Sequence, residues 1–119
     1  TRPWNDPNAD MDRAVASRDA TILVGTVDDV VVASVMAGHD GHRGWIYYLA
    51  VSPDRKARGH GREMMAEAEL WLADRGAPKV QLMVREGNET AAAFYTALGY
   101  EPQDVTVFGK WLTPSPEAE

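Results

Sequence analysis

The hydrophobic positions of this chain change their period along its length. TILVGTV, from Thr21 to Val27, is a β-branched apolar run, and VVVASVMAG, from Val30 to Gly38, is a second. Only Asp28 and Asp29 separate them, so the pattern predicts a hairpin. After the polar, glycine-containing HDGHRG comes WIYYLAV, apolar at adjacent positions, which predicts a central strand covered on both faces. The spacing then becomes helical: Met64, Met65, Ala68, Trp71 and Leu72 recur at intervals of one, three and four, with Glu63, Glu67, Asp74 and Arg75 mostly off that stripe. Gly76 stands where such a helix would stop. KVQLMV predicts another strand, with Val80, Leu82 and Val84 on one face. Asn88 predicts the cap of a second helix, ETAAAFYTAL, which ends at Gly99. VTVFGKW reads as a last strand and residues 113–119 as a frayed tail. At the other end, RPWNDPNAD is irregular, and Asp10 or Asn8 caps a short helix running through about Arg18, with Met11, Ala14 and Val15 on one side. The order is helix, hairpin, strand, helix, strand, helix, strand: a mixed α/β sheet in a single domain covering residues 1–119.

Composition narrows the function classes. The chain has 119 residues, 45% of them hydrophobic and 25% charged, which is globular rather than disordered composition. Its formal net charge of -6 argues against a general binder of nucleic acid or anionic membranes. Without cysteine there is no disulfide framework, no thiolate metal site and no cysteine nucleophile, which fits a cytoplasmic protein. No apolar run approaches the ~20 residues of a membrane span, and no signal-peptide pattern is visible. The chain opens on Thr1 rather than Met, which leaves room for residues upstream.

Against that acidic background one segment is cationic. Between the central strand and the first long helix lies RKARGHG, with Arg62 following, so Arg55, Lys56, Arg58 and Arg62 gather around Gly59 and Gly61 at a helix mouth. A strand feeding a helix through glycines aims several backbone N–H groups at one point, and the helix dipole adds partial positive charge there. Glycines let an oxyanion approach the main chain closely. One reading is a diphosphate cradle; the other is close packing of a turn against a strand. A Walker loop is excluded because Gly61 is followed by Arg62 and Glu63, and a dinucleotide fingerprint because Met64 stands where its third glycine belongs.

YLAVSPDRKARGHG with its following helix resembles the acetyl-coenzyme A motif of the GNAT N-acetyltransferases, whose signature is Q/R-x-x-G-x-G/A. Downstream, NETAAAFYTALGYEP resembles the same family's N-x-x-A-x-x-x-Y-x-x-x-G-F/Y segment. The two lie in the family's order and together span roughly the C-terminal two-thirds of the chain. RPWNDP and the segment from Gly38 to Trp45, with His39 in place of Tyr, are similar to the small bacterial YpeA-like acetyltransferases. The resemblance implies a GNAT-like mixed, mostly antiparallel sheet flanked by helices, with the family's N-terminal strand missing. Lys56 stands where the signature has Gln or Arg, which keeps a backbone cradle but not a planar guanidinium contact.

Carried over residue by residue, the resemblance implies that Leu49 and Val51 offer backbone groups to the pantetheine arm. It implies that Lys56, Arg58, Gly59, Gly61 and Arg62 hold the pyrophosphate and that Asn88 contacts the cofactor near the pantetheine. Tyr95 would be the general acid that protonates the departing coenzyme A thiolate. Asn88 and Tyr95 are seven apart and so share a helix face, and a phenol of pKa near ~10 is protonated at neutral pH. Each residue has a plainer role as well: Tyr95 as a core tyrosine, Asn88 as an N-cap, Arg58 and Arg62 as solvated charges.

For the acceptor side, His39, His42 or Tyr48 is the candidate base for deprotonating an amine, with Tyr47 and Glu86 near substrate-facing ends; the His39-to-Arg43 loop also reads as a solvated turn. No metal site is expected, since that loop lacks a third clear ligand. The function implied is acetyl transfer from acetyl-coenzyme A to a primary amine, on a small molecule or peptide, directly in a ternary complex. The alternative is a non-catalytic acyl-coenzyme A-binding or regulatory module on the same fold. No nucleic-acid or membrane partner is expected, and the edge of VTVFGKW is a pairing site for a homodimer.

Overall fold

The computed structural model describes residues 18–114. They fall into two compact units, residues 18–83 and residues 84–114. The first holds a four-stranded sheet in the order β1-β2-β3-β4 and one long helix. Strand β1 is Ala20–Val27, β2 is Val30–His39 and β3 is Gly44–Val51. A 3₁₀ turn at Pro53–Arg55 leads to helix α1, His60–Asp74, and then to β4, Val80–Leu82. The second unit contains helix α2, Glu89–Ala97.

The predicted hairpin forms with the predicted two-residue turn. Asp28 and Asp29 have φ of 51° and 65°, the pair of left-handed conformations of a type I′ turn, whose twist matches that of the strands. Asp tolerates this region because its short side chain can bond locally. Strands β1, β2 and β3 are antiparallel, and β4 joins β3 in parallel, with Gly44, Trp45 and Ile46 opposite Val80, Gln81 and Leu82. Strand β3 is therefore an inner strand, as its two-faced apolar character predicts.

Helix α1 covers one face of the sheet. Met64, Met65, Ala68 and Leu72 are buried, as the stripe predicts, while Trp71 is half-buried under the guanidinium of Arg75. Full burial of a Met or Leu side chain contributes about 1.5–3 kcal/mol. The facing sheet residues Ala33, Val35, Ala37 and Ile46 are buried too. The helix lies close because Gly44 has no side chain: a Cβ there would stand 2.8 Å from Leu72 Cδ1. The helix ends in a Schellman motif, with Gly76 N–H donating to the Ala73 carbonyl and Ala77 N–H to that of Leu72.

Two sequence expectations are corrected. VTVFGKW is not a strand: Val105 to Trp111 carry no regular structure, and Phe108 is 93% exposed. Alternation makes a segment competent to pair, but a strand needs a partner ladder, and the described sheet ends at β4. KVQLMV shortens to Val80–Leu82 because β4 follows β3 only as far as Ile46. The helix predicted to run up to Arg18 falls mostly outside the described residues, as do residues 115–119 of the predicted tail.

Candidate active site

In the sheet unit, the end of β3 carries the candidate site. Strand β4 stops at Leu82, opposite Ile46, while β3 continues to Val51 along β2. The two parallel strands thus part halfway. At the parting β3 bulges: Met36 pairs with Tyr47 and Ser34 with Ala50, so Tyr48 and Leu49 together oppose Val35. Tyr48 takes φ 53° to make this bulge, a conformation costly for a bulky side chain. A bulge re-aims backbone groups, and here it does so next to Leu49, where the resemblance places the pantetheine contact. Beyond it the ladder with β2 resumes and ends with Ser52 N–H donating to the Val32 carbonyl at 2.7 Å.

The turn that follows is held by its own side chains. Ser52 Oγ donates to Asp54 Oδ1 at 2.8 Å, and Arg55 N–H donates to the Ser52 carbonyl. That hydroxyl, helped by backbone bonding and by the charges of Arg55 and Arg58, holds the Asp54 carboxyl below its ordinary pKa. Lys56 is extended, Ala57 turns through φ 65°, and Gly59 caps α1 at φ 83°. A Cβ on Gly59 would meet no atom within 4 Å, so backbone conformation, not crowding, calls for glycine there. This disfavours close packing as the reason for Gly59. The helical ladder begins with Glu63 N–H on the Gly59 carbonyl, which leaves the N–H groups of His60, Gly61 and Arg62 ahead of it. Lys56, Arg58 and Arg62 are exposed around that point. Oriented donors with three cations beside them suit a diphosphate.

The histidines lie elsewhere. His39 ends β2 and His42 sits in the turn before β3, at the opposite end of β3 from the cradle. At about 3.3 Å per residue, the eight-residue strand separates the two regions by roughly 20 Å. The loop is organised around Asp40, whose Oδ1 accepts from the N–H groups of Arg43 at 2.7 Å and His42 at 2.8 Å. These bonds lower the Asp40 pKa. Arg43 donates to the His42 carbonyl at 3.0 Å, and the same guanidinium nitrogen stands 3.3 Å from His42 Nδ1. Of the three candidate bases, only Tyr48 stands near the cradle end of β3.

In the second unit, Asn88 caps α2, its Oδ1 accepting from Ala91 N–H at 3.1 Å. Tyr95 is half-buried against Phe94 and Tyr100, and burial raises its pKa above 10. Gly99, at φ 96°, closes a second Schellman motif: its N–H donates to the Thr96 carbonyl and Tyr100 N–H to that of Tyr95. The Tyr95-to-Tyr100 spacing therefore has a capping role whether or not the Tyr95 hydroxyl is used chemically. The sequence reading missed the left-handed conformations of Tyr48 and Ala57, and nothing in their side chains signals them.

Comparison with known proteins agrees with these features. The profile of the Acetyltransferase (GNAT) family matches residues 1–100. A protein named acetyltransferase from Yersinia pestis strain Pestoides F is 44% identical over 111 residues, covering 93% of this chain and 79% of its own length. An acetyltransferase of Pectobacterium atrosepticum matches at the same identity and coverage. Among solved structures, AAC(6')-Iy in complex with the bisubstrate analog CoA-S-monomethyl-acetylneamine superposes with a TM-score of 0.77 at 16% identity, over 89% of this chain and 78% of that one. The aminoglycoside 6'-N-acetyltransferase AAC(6')-IG of Acinetobacter haemolyticus gives 0.76 at 19%, over 92% and 86%. The chain belongs to the GNAT acetyltransferase family, whose acetyl donor is acetyl-coenzyme A.

Proposed function

We propose that the protein transfers an acetyl group from acetyl-coenzyme A to a primary amine, directly, with both substrates bound together. The observation that carries this reading is the sequence of devices along one stretch of backbone: the parting of β3 from β4, the bulge at Tyr48 and Leu49, and the cradle from Lys56 to Arg62. Bound there, the thioester supplies the acetyl group. Leu49 and Val51 would present main-chain groups to the pantetheine arm, while the first-turn N–H groups and Lys56, Arg58 and Arg62 would hold the diphosphate. Asn88 spends its carbonyl oxygen on the cap and keeps its NH₂ group to donate to the donor molecule.

In the transfer, the neutral amine nitrogen bonds to the acetyl carbon, the carbon–sulfur bond breaks, and the sulfur takes a proton from the Tyr95 hydroxyl. The proton shed by the nitrogen leaves through the amine-side base or water and so restores the Tyr95 phenol. Burial keeps that phenol protonated throughout the neutral range. His39, His42 and Tyr48 are the candidate bases on the amine side, acting directly or through water. The complex of AAC(6')-Iy with a single analog joining both substrates supports a direct transfer. The chain would work as one catalytic domain. Among the described residues no helix is long and apolar enough to cross a membrane, and the lack of cysteine suits a cytoplasmic setting. A homodimer through the exposed Val105-to-Leu112 segment is part of the same reading, supported by Val107 at 65% and Leu112 at 93% exposure.

The test is release of free thiol from acetyl-coenzyme A across a panel of amines, small and peptidic. Release that requires both substrates, with parallel double-reciprocal lines absent, supports direct transfer. No binding of acetyl-coenzyme A at millimolar concentration would overturn it.

A further inference from the structure

His60 departs from its cationic neighbours. It is the first residue of α1, between the cap Gly59 and the second cradle glycine Gly61. Arg58 and Arg62 are exposed on either side, yet the His60 Nε2 atom is buried and has no hydrogen-bond partner. A polar nitrogen cut off from both water and protein partners is destabilising, so such an atom calls for an occupant beside it.

The structure supplies room for one. His60 lines a cavity of about 100 Å³ between the first turn of α1, with Glu63 and Met64, and the β1–β2 pair at Gly25, Thr26 and Val32. The sheet wall is made where the ladder is irregular: Gly25 pairs with Ala33 and Thr26 with Val31, so Val32 is an extra residue on β2. A bulge of this kind breaks the regular exchange of backbone hydrogen bonds. Gly25 also leaves the space open, since a Cβ there would lie 3.1 Å from Met64 Sδ. The walls therefore bring the His60 nitrogen to the interrupted backbone ladder at Gly25, Thr26 and Val32, among apolar groups. At about 30 Å³ per molecule, the volume holds about three waters, and the polar groups give such waters their partners.

We propose that His60 is a positioning residue for the diphosphate cradle, tied through water in this cavity to the backbone of the β1–β2 bulge at Thr26 and Val32. Water serves either tautomer of the imidazole, because it can donate to or accept from Nε2. The link fixes the first turn of α1 against the hairpin bulge. That turn contributes the N–H groups of His60, Gly61 and Arg62, so holding it preorganises donors that otherwise have to be ordered when the anion arrives. The inference rests on the cradle being the acetyl-coenzyme A site, but its structural half stands independently of any ligand.

The test compares His60→Gln, which keeps a polar side chain, with His60→Leu, which removes it, and adds Gly25→Ala, whose methyl group would enter the cavity from the sheet side, 3.1 Å from Met64 Sδ. In the ligand-free protein, amide hydrogen exchange at Glu63, whose N–H closes the first turn on the Gly59 carbonyl, should be about tenfold faster in His60→Leu and Gly25→Ala than in wild type, with His60→Gln close to wild type. Coenzyme A affinity measured by calorimetry should fall in the same order, by about tenfold in His60→Leu, and KM for acetyl-coenzyme A should rise more than kcat falls. Equal loss in the Gln and Leu variants, or unchanged exchange in both His60→Leu and Gly25→Ala, overturns the proposal. If wild type binds no coenzyme A, the functional reading fails, while the exchange measurement still decides whether the link exists. Gly25→Ala, a single added methyl group outside the first turn of α1, keeps the test open should His60→Leu fold poorly.

Discussion

The ring of Tyr95 meets the ring of Tyr100 edge-on, centroids 5.8 Å apart, because the two residues close the same helix cap. Tyr100 N–H donates to the Tyr95 carbonyl, and Gly99 between them supplies the left-handed turn that brings the rings together. The candidate acid is thus oriented by the hydrogen bonds that end α2. Replacing Gly99 with Ala forces a Cβ into φ 96° and should cost about 1 kcal/mol of stability. Thermal unfolding would read the loss, and weakened Tyr95–Tyr100 contact should accompany it as altered near-ultraviolet circular dichroism.

Tyr95→Phe keeps the ring and the cap but removes the transferable proton. An enzyme using that proton should lose turnover by about 10²–10⁴-fold while binding coenzyme A as before. A variant with wild-type kcat would show that the hydroxyl serves no acid role.

Burial raises the pKa of Tyr95 and, together with the nearby Asp40 charge, that of Tyr47. With the folded values above the unfolded value near ~10, the native state holds protons that the unfolded state releases. The stability these neutral phenols contribute is complete below that unfolded value and is lost as pH rises through the folded ones. Denaturant titrations from neutral pH to above ~10 should show the decline, and Tyr47→Phe should reduce it.

The exposed cations of the cradle should act additively and weakly. Lys56→Ala, Arg58→Ala and Arg62→Ala should each reduce coenzyme A affinity about two- to fivefold, and less so at high salt. Lys110→Ala, on the exposed C-terminal segment, should leave affinity unchanged. Calorimetry at two ionic strengths distinguishes the sets.

Gly44→Ala should be the most damaging single-methyl change in the sheet unit. Its Cβ would lie 2.8 Å from Leu72 Cδ1 and 3.0 Å from Cδ2, so α1 has to move or Leu72 has to repack. Overpacking of this sort costs about 1–3 kcal/mol. Adding Leu72→Ala should recover part of the overpacking cost in a double-mutant cycle, which independent sites would not do.

Much of this arrangement was legible in the chain. The Asp28-Asp29 turn, the stripe from Met64 to Leu72 and the Asn88 and Gly99 helix limits all express local rules, and local rules survive folding. The misreadings concern partnership. Val105 to Trp111 alternates like a strand, but alternation says nothing about whether a ladder is there to receive it. Where the His39-to-Arg43 loop lies was not legible either: only the direction of β3 places it at the opposite end of that strand from the cradle. Tyr48 and Ala57 adopt backbone conformations usual for glycine, and their side chains give no hint of it.

The contact between Gly44 and Leu72 has a further consequence. It sets the spacing of helix and sheet by omission, with a hydrogen where every other residue would put carbon. A gap defined that way can be closed by many substitutions and widened by none at that position. Any drift in layer spacing must therefore be answered from the helix side, by trimming Leu72. The same helix begins at the cradle, so a repair made at its far end would be felt where the anion is held.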